Sequence, residues 1–242
     1  MTPEETAAAV KGTVLTLGGA WMLDGATRAR AREVGLRSRP SYYCGRGGVL
    51  GDVPAEVVAA TFAFFPFPVL RDAWEAGRAV MAPAQASAHY AQFCADWGRD
   101  HYAAVADAGR LADLVARVVD GAEPAGLPLF AGWRAMPRPA DDAGRLNLLL
   151  HVLREHRGAV HVAAVAAIGL DPLGAVVAGP YQDNAKFFEW PEPYPDPEPY
   201  RAAWAKAEEL TAAGAAPAFG ALTVDERIEL VALLESLSAR MS

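Results

Sequence analysis

A chain of 242 residues with 52% hydrophobic and 21% charged side chains can bury a substantial core, and this composition excludes an intrinsically disordered protein. The formal net charge of −7 is unevenly placed: residues 1–140 hold 14 Lys+Arg against 14 Asp+Glu, and residues 141–242 hold 8 against 15. So acidic a C-terminal part argues against a nucleic-acid surface, because affinity for nucleic acid comes mainly from neutralising phosphates.

From the start of the chain, Thr2, Pro3 and Glu5 read as the N-cap, first helical position and capping-box partner of a helix to about Met22. Lys11 and Gly18-Gly19 interrupt this apolar stretch, which therefore lacks the pattern of a transmembrane span or a signal peptide. Cytoplasmic residence is expected. A second helix covers Gly25–Val34 and carries Arg28, Arg30 and Arg32, with Arg30 placed to pair with Glu33. Then comes "SYYCGRGGVLGDV" (41–53), read as a loop because of its four glycines. Cys44 and Cys94 are the only cysteines, which excludes a disulfide framework and fits a reducing compartment.

Pro54 opens "PAEVVAATFAFF", whose apolar residues occupy nearly every face and predict a helix buried all round. Further helices are predicted at 69–80, 84–107 and 109–119. Residues 1–122 would form an N-terminal helical lobe, and the proline- and glycine-rich segment 123–141 a connection. Residues 142–242 would form the second lobe. In it "AGRLNLLLHVLREHR" ends before Gly158, "AVHVAAVAAIGL" follows as a separate helix, and a turn at Gly169–Asp171 leads to "PLGAVVAG". Two helices joined by a tight glycine-bearing turn make a helix-turn-helix pattern. Five prolines between Pro191 and Pro199 favour an extended arm. A helix from Tyr200 to Ala213, a wing hairpin at "GAAPAFGALT" and a last helix at 223–240 complete the chain. The expected fold is mainly α, with an N-terminal helical lobe and a winged-helix-like C-terminal lobe bearing a small β-wing.

Three stretches carry a family resemblance: "GRGGVLGDVPAEVVAATFAFFP" (45–66), "LLHVLREHRGAVHVAAVAAIGLD" (149–171) and "WAKAEELTAAGAAPAFGALT" (204–223). In this order they resemble an actinobacterial family of helix-turn-helix proteins, whose members pair a helical lobe with a winged-helix-like one. The chain departs from the family pattern at Gly47-Gly48-Val49, Ala63-Phe64 and Ala159-Val160. More distantly it is similar to aziridine-forming proteins of azinomycin-type pathways in specialised metabolism. That likeness implies ring closure in which an amine displaces an anionic leaving group.

The candidate sites follow from residue chemistry. Gly45, Gly47, Gly48 and Gly51 have neither dinucleotide-fingerprint nor P-loop spacing, so nucleotide binding is not indicated. Two readings remain: a glycine turn whose backbone N–H groups and Arg46 clamp an anion, flanked by Tyr42 and Tyr43, or a tight loop whose arginine pairs with a carboxylate. His151, His156 and His161 are five residues apart and do not line one helix face, so no metal site and no cofactor is expected. At the predicted corner around Gly158, His156 or His161 would be a general acid/base oriented by Glu155, with Arg157 on an anion; helix capping is the structural alternative. Asp52 reads as a helix cap or as a proton acceptor for a substrate amine. Cys44 beside Arg46 could act as a nucleophile, but with no partnered base in view it reads better as a small buried residue.

"PLGAVVAG" has no charge and no base-reading side chain, which speaks against DNA recognition. The favoured function is a cofactor-free enzyme acting on a small anionic substrate by intramolecular displacement, with His156, Glu155 and Asp52 catalytic and Arg46, Arg157, Tyr42, Tyr43 and His161 binding. A non-catalytic small-molecule-binding or sequestration protein and a winged-helix transcriptional regulator are the alternatives. The arginine run before the loop would suit an acidic carrier protein presenting the substrate, and a homo- or heterodimer is compatible with the sequence.

Overall fold

Every regular element in the computed structural model, which describes residues 1–180 and 183–241, is helical. The helices are α1 (Pro3–Ala20), α2 (Gly25–Glu33), α3 (Ser38–Gly47), α4 (Ala55–Phe62), α5 (Phe67–Arg78), α6 (Pro83–Tyr102) and α7 (Ala108–Gly121). They continue with α8 (Pro128–Arg134), α9 (Asp142–Ala167), α10 (Pro172–Ala178), α11 (Asn184–Phe187), α12 (Arg201–Ala215) and α13 (Val224–Met241). The capping box expected at Thr2 is formed: its hydroxyl accepts from the Glu5 N–H, and the Glu5 carboxylate accepts from the Thr2 N–H.

The organising element is α9. Asp141 caps it by accepting from the Gly144 N–H at 2.8 Å. Leu146 through Leu153 are then buried on every side, because α1, α6, α7, α8 and α12 all pack against this one helix. Two crossings are close enough to require glycine. A Cβ at Gly18 would lie 2.6 Å from the Leu150 carbonyl oxygen, and one at Gly98 would lie 2.5 Å from that of Ala143. The main core runs from Val10 on α1 to Leu237 on α13, and a smaller cluster of Val165, Leu170, Ala175 and Ala207 lies under the turn between α9 and α10.

Four sequence expectations are corrected. There is no strand among the described residues, so the β-wing is not formed. The segment expected to form it is the end of α12 followed by a 3₁₀ turn over Ala216–Ala221. That turn buries Ala216, Ala218 and Phe219 against the core, and it leaves too little chain for two paired strands. The glycine-rich "loop" is mostly α3: Gly45, Gly47 and Gly48 are there for close packing, and Gly51 takes a positive φ after the helix. A Cβ on Gly48 would fall 2.0 Å from the Pro83 carbonyl oxygen of α6. Helix α4 buries one face only, with Val57 on the exposed side. Finally, no break occurs at Gly158, since an isolated glycine costs a helix only about 1 kcal/mol and packing outweighs that. No single helix among the described residues is long and apolar enough to cross a membrane.

Candidate functional site

Because α9 is continuous, Arg154, Arg157, Gly158 and His161 fall at i, i+3, i+4 and i+7 and share one face. Helix α3 crosses this face with Tyr42 and Arg46. The turn between α4 and α5 adds Phe64 and Phe65, and Phe188 at the end of α11 closes the space from outside. Together with Phe62 these side chains enclose a cavity of about 160 Å³. The turn is a γ-turn: the Phe64 N–H bonds the Phe62 carbonyl at 2.5 Å, and Ala63 between them has φ 39° and ψ −49°. A non-glycine residue there is strained, and the strain sets the direction of the two phenylalanines that follow.

Arg46 and Glu155 form the electrostatic centre. Arg46 Nε donates to Glu155 Oε1 at 2.9 Å and Nη2 donates to Oε2 at 2.8 Å, a bidentate pair in which the carboxylate is 1% exposed. The guanidinium also donates to the Tyr42 hydroxyl at 3.0 Å and lies 4.4 Å from the centre of the Phe62 ring. Arg154 Nη1 donates to Glu155 Oε1 at 3.0 Å. Burial pushes the Glu155 carboxyl up, but Arg46 and the other charges nearby outweigh it and hold the group at about 2. Glu155 is therefore an ionised, fully engaged carboxylate at neutral pH. Of the two readings of Arg46, the structure has the carboxylate pair.

Arg157 Nη2 donates to Glu208 Oε2 on α12 at 2.8 Å, and Lys11 on α1 pairs with the same oxygen. His161 Nδ1 lies 2.9 Å from the Thr211 hydroxyl and 3.3 Å from Glu208 Oε1, and its ring tilts over Phe64. Burial lowers the His161 pKa against the opposing pull of Glu208, which favours a neutral imidazole.

The remaining predicted residues lie elsewhere. His156 is on another face of α9, against Phe130 and beside a second space between α1, α9 and α12; burial and Arg134 lower its pKa to about 4. Asp52 is exposed and pairs with Arg78 at 2.7 Å. Tyr43 is buried in the aromatic core, where burial raises its hydroxyl pKa. The structure thus brings Tyr42, Arg46, Arg157 and His161 to one cavity with Glu155 behind Arg46, and it does not bring His156, Asp52 or Tyr43 there. Cys44 and Cys94 are buried thiols, and burial raises Cys44 to about 11. Among the described residues no group of His, Cys, Asp and Glu is placed to hold a metal ion.

Sequence reasoning missed Arg154 and the aromatic walls Phe64, Phe65 and Phe188. The signal for Arg154 was its spacing to Arg157 and His161, which becomes visible once α9 is read through Gly158. His151 was also missed as a core group. It is 0% exposed, edge-on to Trp21 and Trp133, and burial lowers its pKa to about 3.

A model of a helix-turn-helix family matches residues 7–195 of the chain. No curated protein and no solved structure matches it.

Proposed function

The chain belongs to this helix-turn-helix family, and from that premise we propose that it captures a small anionic ligand with a flat or apolar body in the cavity between α3, α9 and the α4–α5 turn. One observation carries this reading: Arg46, Arg154 and Arg157 line an aromatic-walled cavity and are faced by only two carboxylates, Glu155 and Glu208, neither of which lines the cavity itself. Surplus positive charge in a space sheltered from water favours an anion, and guanidinium forks suit a carboxylate. Aromatic faces and edges on the other walls take up the ligand's body.

Binding fits this arrangement better than catalysis does. Glu155 is already bound by two guanidinium groups, His161 is engaged with Thr211 and Glu208, and His156 and Asp52 face other surroundings. Aziridine closure has no support from the comparisons. The family match itself favours a second reading, a ligand-responsive transcriptional regulator. Against it, α10 after the turn buries Gly174, Ala175, Val176 and Ala178 and has no hydrogen-bonding side chain to read a base edge.

The test is calorimetry with benzoate and with benzamide, its neutral counterpart of similar shape, at pH 7. Benzoate is expected to bind, benzamide to bind at least tenfold more weakly, and Arg157→Ala to lose roughly tenfold or more for benzoate alone. Equal affinity for acid and amide would overturn the reading. A gel shift at moderate salt tests the regulator: a specific complex would place DNA among the ligands.

A further inference from the structure

A second cavity of about 180 Å³ lies directly beside the first, between α2, α3 and α11, with Met22, Leu23, Ala31 and Tyr43 among its walls. The two cavities share Tyr42 and Phe65 as a partition. They also share a roof. Phe187 lines the second cavity, and the next residue, Phe188, lines the first and meets Phe65 edge-on at 4.6 Å.

This roof is held at its C-terminal end by two neighbouring residues. The Trp190 indole N–H donates to the Phe64 carbonyl at 2.9 Å, and Glu189 pairs with Arg39 on α3. Phe65 is thus the central thing between two spaces under one lid, and it touches Tyr42, Tyr43, Phe62 and Phe188 through ring contacts alone. Only these packing contacts separate the two spaces at that ring.

Their chemistry is graded. The first cavity carries Arg46, Arg154 and Arg157, whereas the second is mostly apolar, with the Thr27 and Ser41 hydroxyls and Arg28, Arg39 and Glu189 also in its wall and Arg39 paired to Glu189. A cavity of about 150 Å³ with apolar walls holds roughly one aromatic ring, so a ligand confined to either space alone would be very small.

Building on the anion-binding reading above, we infer that the two cavities form one elongated site for a carboxylic acid with a long apolar tail. The carboxylate sits against Arg154 and Arg157, the chain passes Phe65 under α11, and the tail ends among Met22, Leu23 and Ala31.

The experiment is a titration of the protein with straight-chain carboxylates from butyrate to dodecanoate, kept below their micelle concentrations, by ligand-observed NMR for the short acids and calorimetry for the long ones. Affinity is expected to rise roughly threefold to fourfold per methylene until the second cavity is filled. Ala31→Leu, which fills that cavity from α2, is expected to abolish the rise beyond about six carbons, an order-of-magnitude limit set by the size of one cavity, and to leave butyrate unchanged. Phe187→Asp, at a position 56% exposed and thus safe for folding, should do the same by placing a charge beside the tail. Chain-length dependence that survives both variants, or is missing from the unaltered protein while butyrate still binds through Arg157, overturns the elongated site and leaves the anion reading standing. Carboxylate binding that ignores Arg157→Ala at every length overturns the anion reading, and the elongated site with it.

Discussion

Removing either half of the Arg46–Glu155 pair should cost far more than removing both. Glu155→Leu leaves the Arg46 guanidinium, 9% exposed, without a counter-charge beneath Phe62 and Tyr42. Stranding a buried charge in this way costs about 3–5 kcal/mol. Arg154 is also released, but its side chain is 25% exposed and can turn to water. Arg46→Met strands Glu155 less completely, because Arg154 stays at 3.0 Å from Oε1; two charge-assisted hydrogen bonds are lost and one is kept. The expected cost is about 2–3 kcal/mol, smaller than that of Glu155→Leu. In the double variant neither charge remains and an apolar pair of similar volume fills the space, so the loss should be within about 1 kcal/mol of the parent protein. The assay is urea unfolding followed by tryptophan fluorescence and circular dichroism, with unchanged m-values as the condition for comparing midpoints. If both single variants lose less than about 1 kcal/mol, or if the double variant loses the sum of the two, the pair is not the buried charge centre described here.

Acid should destabilise the protein well above the carboxylate range. His151 and His156 are held at about 3 and about 4 by burial, below the ordinary 6.5, so the folded state binds fewer protons than the unfolded state between those values. Their contribution is complete above pH 6.5 and shrinks as pH falls, by about 2 kcal/mol each between pH 7 and pH 5. Glu155, at about 2 against 4.5, adds a further loss below pH 4.5. Denaturation midpoints at pH 7, 6 and 5 check this, and His151→Phe should flatten the slope. Gly48→Ala should destabilise by about 3 kcal/mol or more, because the new methyl group meets backbone and not a movable side chain; thermal unfolding measures it. Ala63→Gly should stabilise by about 1 kcal/mol by releasing the positive φ, and a lower midpoint would show that the γ-turn stores no strain.

Much of the helical layout was legible, because amphipathic spacing and proline punctuation are local signals. Leu111, Leu114, Val115 and Val118 mark α7, and the prolines at 54, 66 and 83 stand at or next to helix starts. Errors came where a local rule met a tertiary demand. Glycine normally signals a break, yet Gly45, Gly47 and Gly48 let α3 and the 3₁₀ turn after it press against Tyr90, Val58 and Pro83, and Gly158 sits inside α9 without interrupting it. Dividing α9 there moved Glu155, His156, Arg157 and His161 to a single corner. On the intact helix, Glu155 and His156 point to different neighbours. The partner of Arg46 is 109 residues away in sequence, and no local pattern announces it. Phe188 belongs to the cavity only through the path of the chain after α10, a consequence of packing that residue types alone do not encode.

One rod, α9, carries the arginine face and runs on to the turn before α10. From Arg157 to Ile168 is about 16 Å of helix that continues through Gly158 without a break. At its C-terminal end the chain turns by 116° into α10, so the arginine face and α10 are fixed to the two ends of the same stretch of helix.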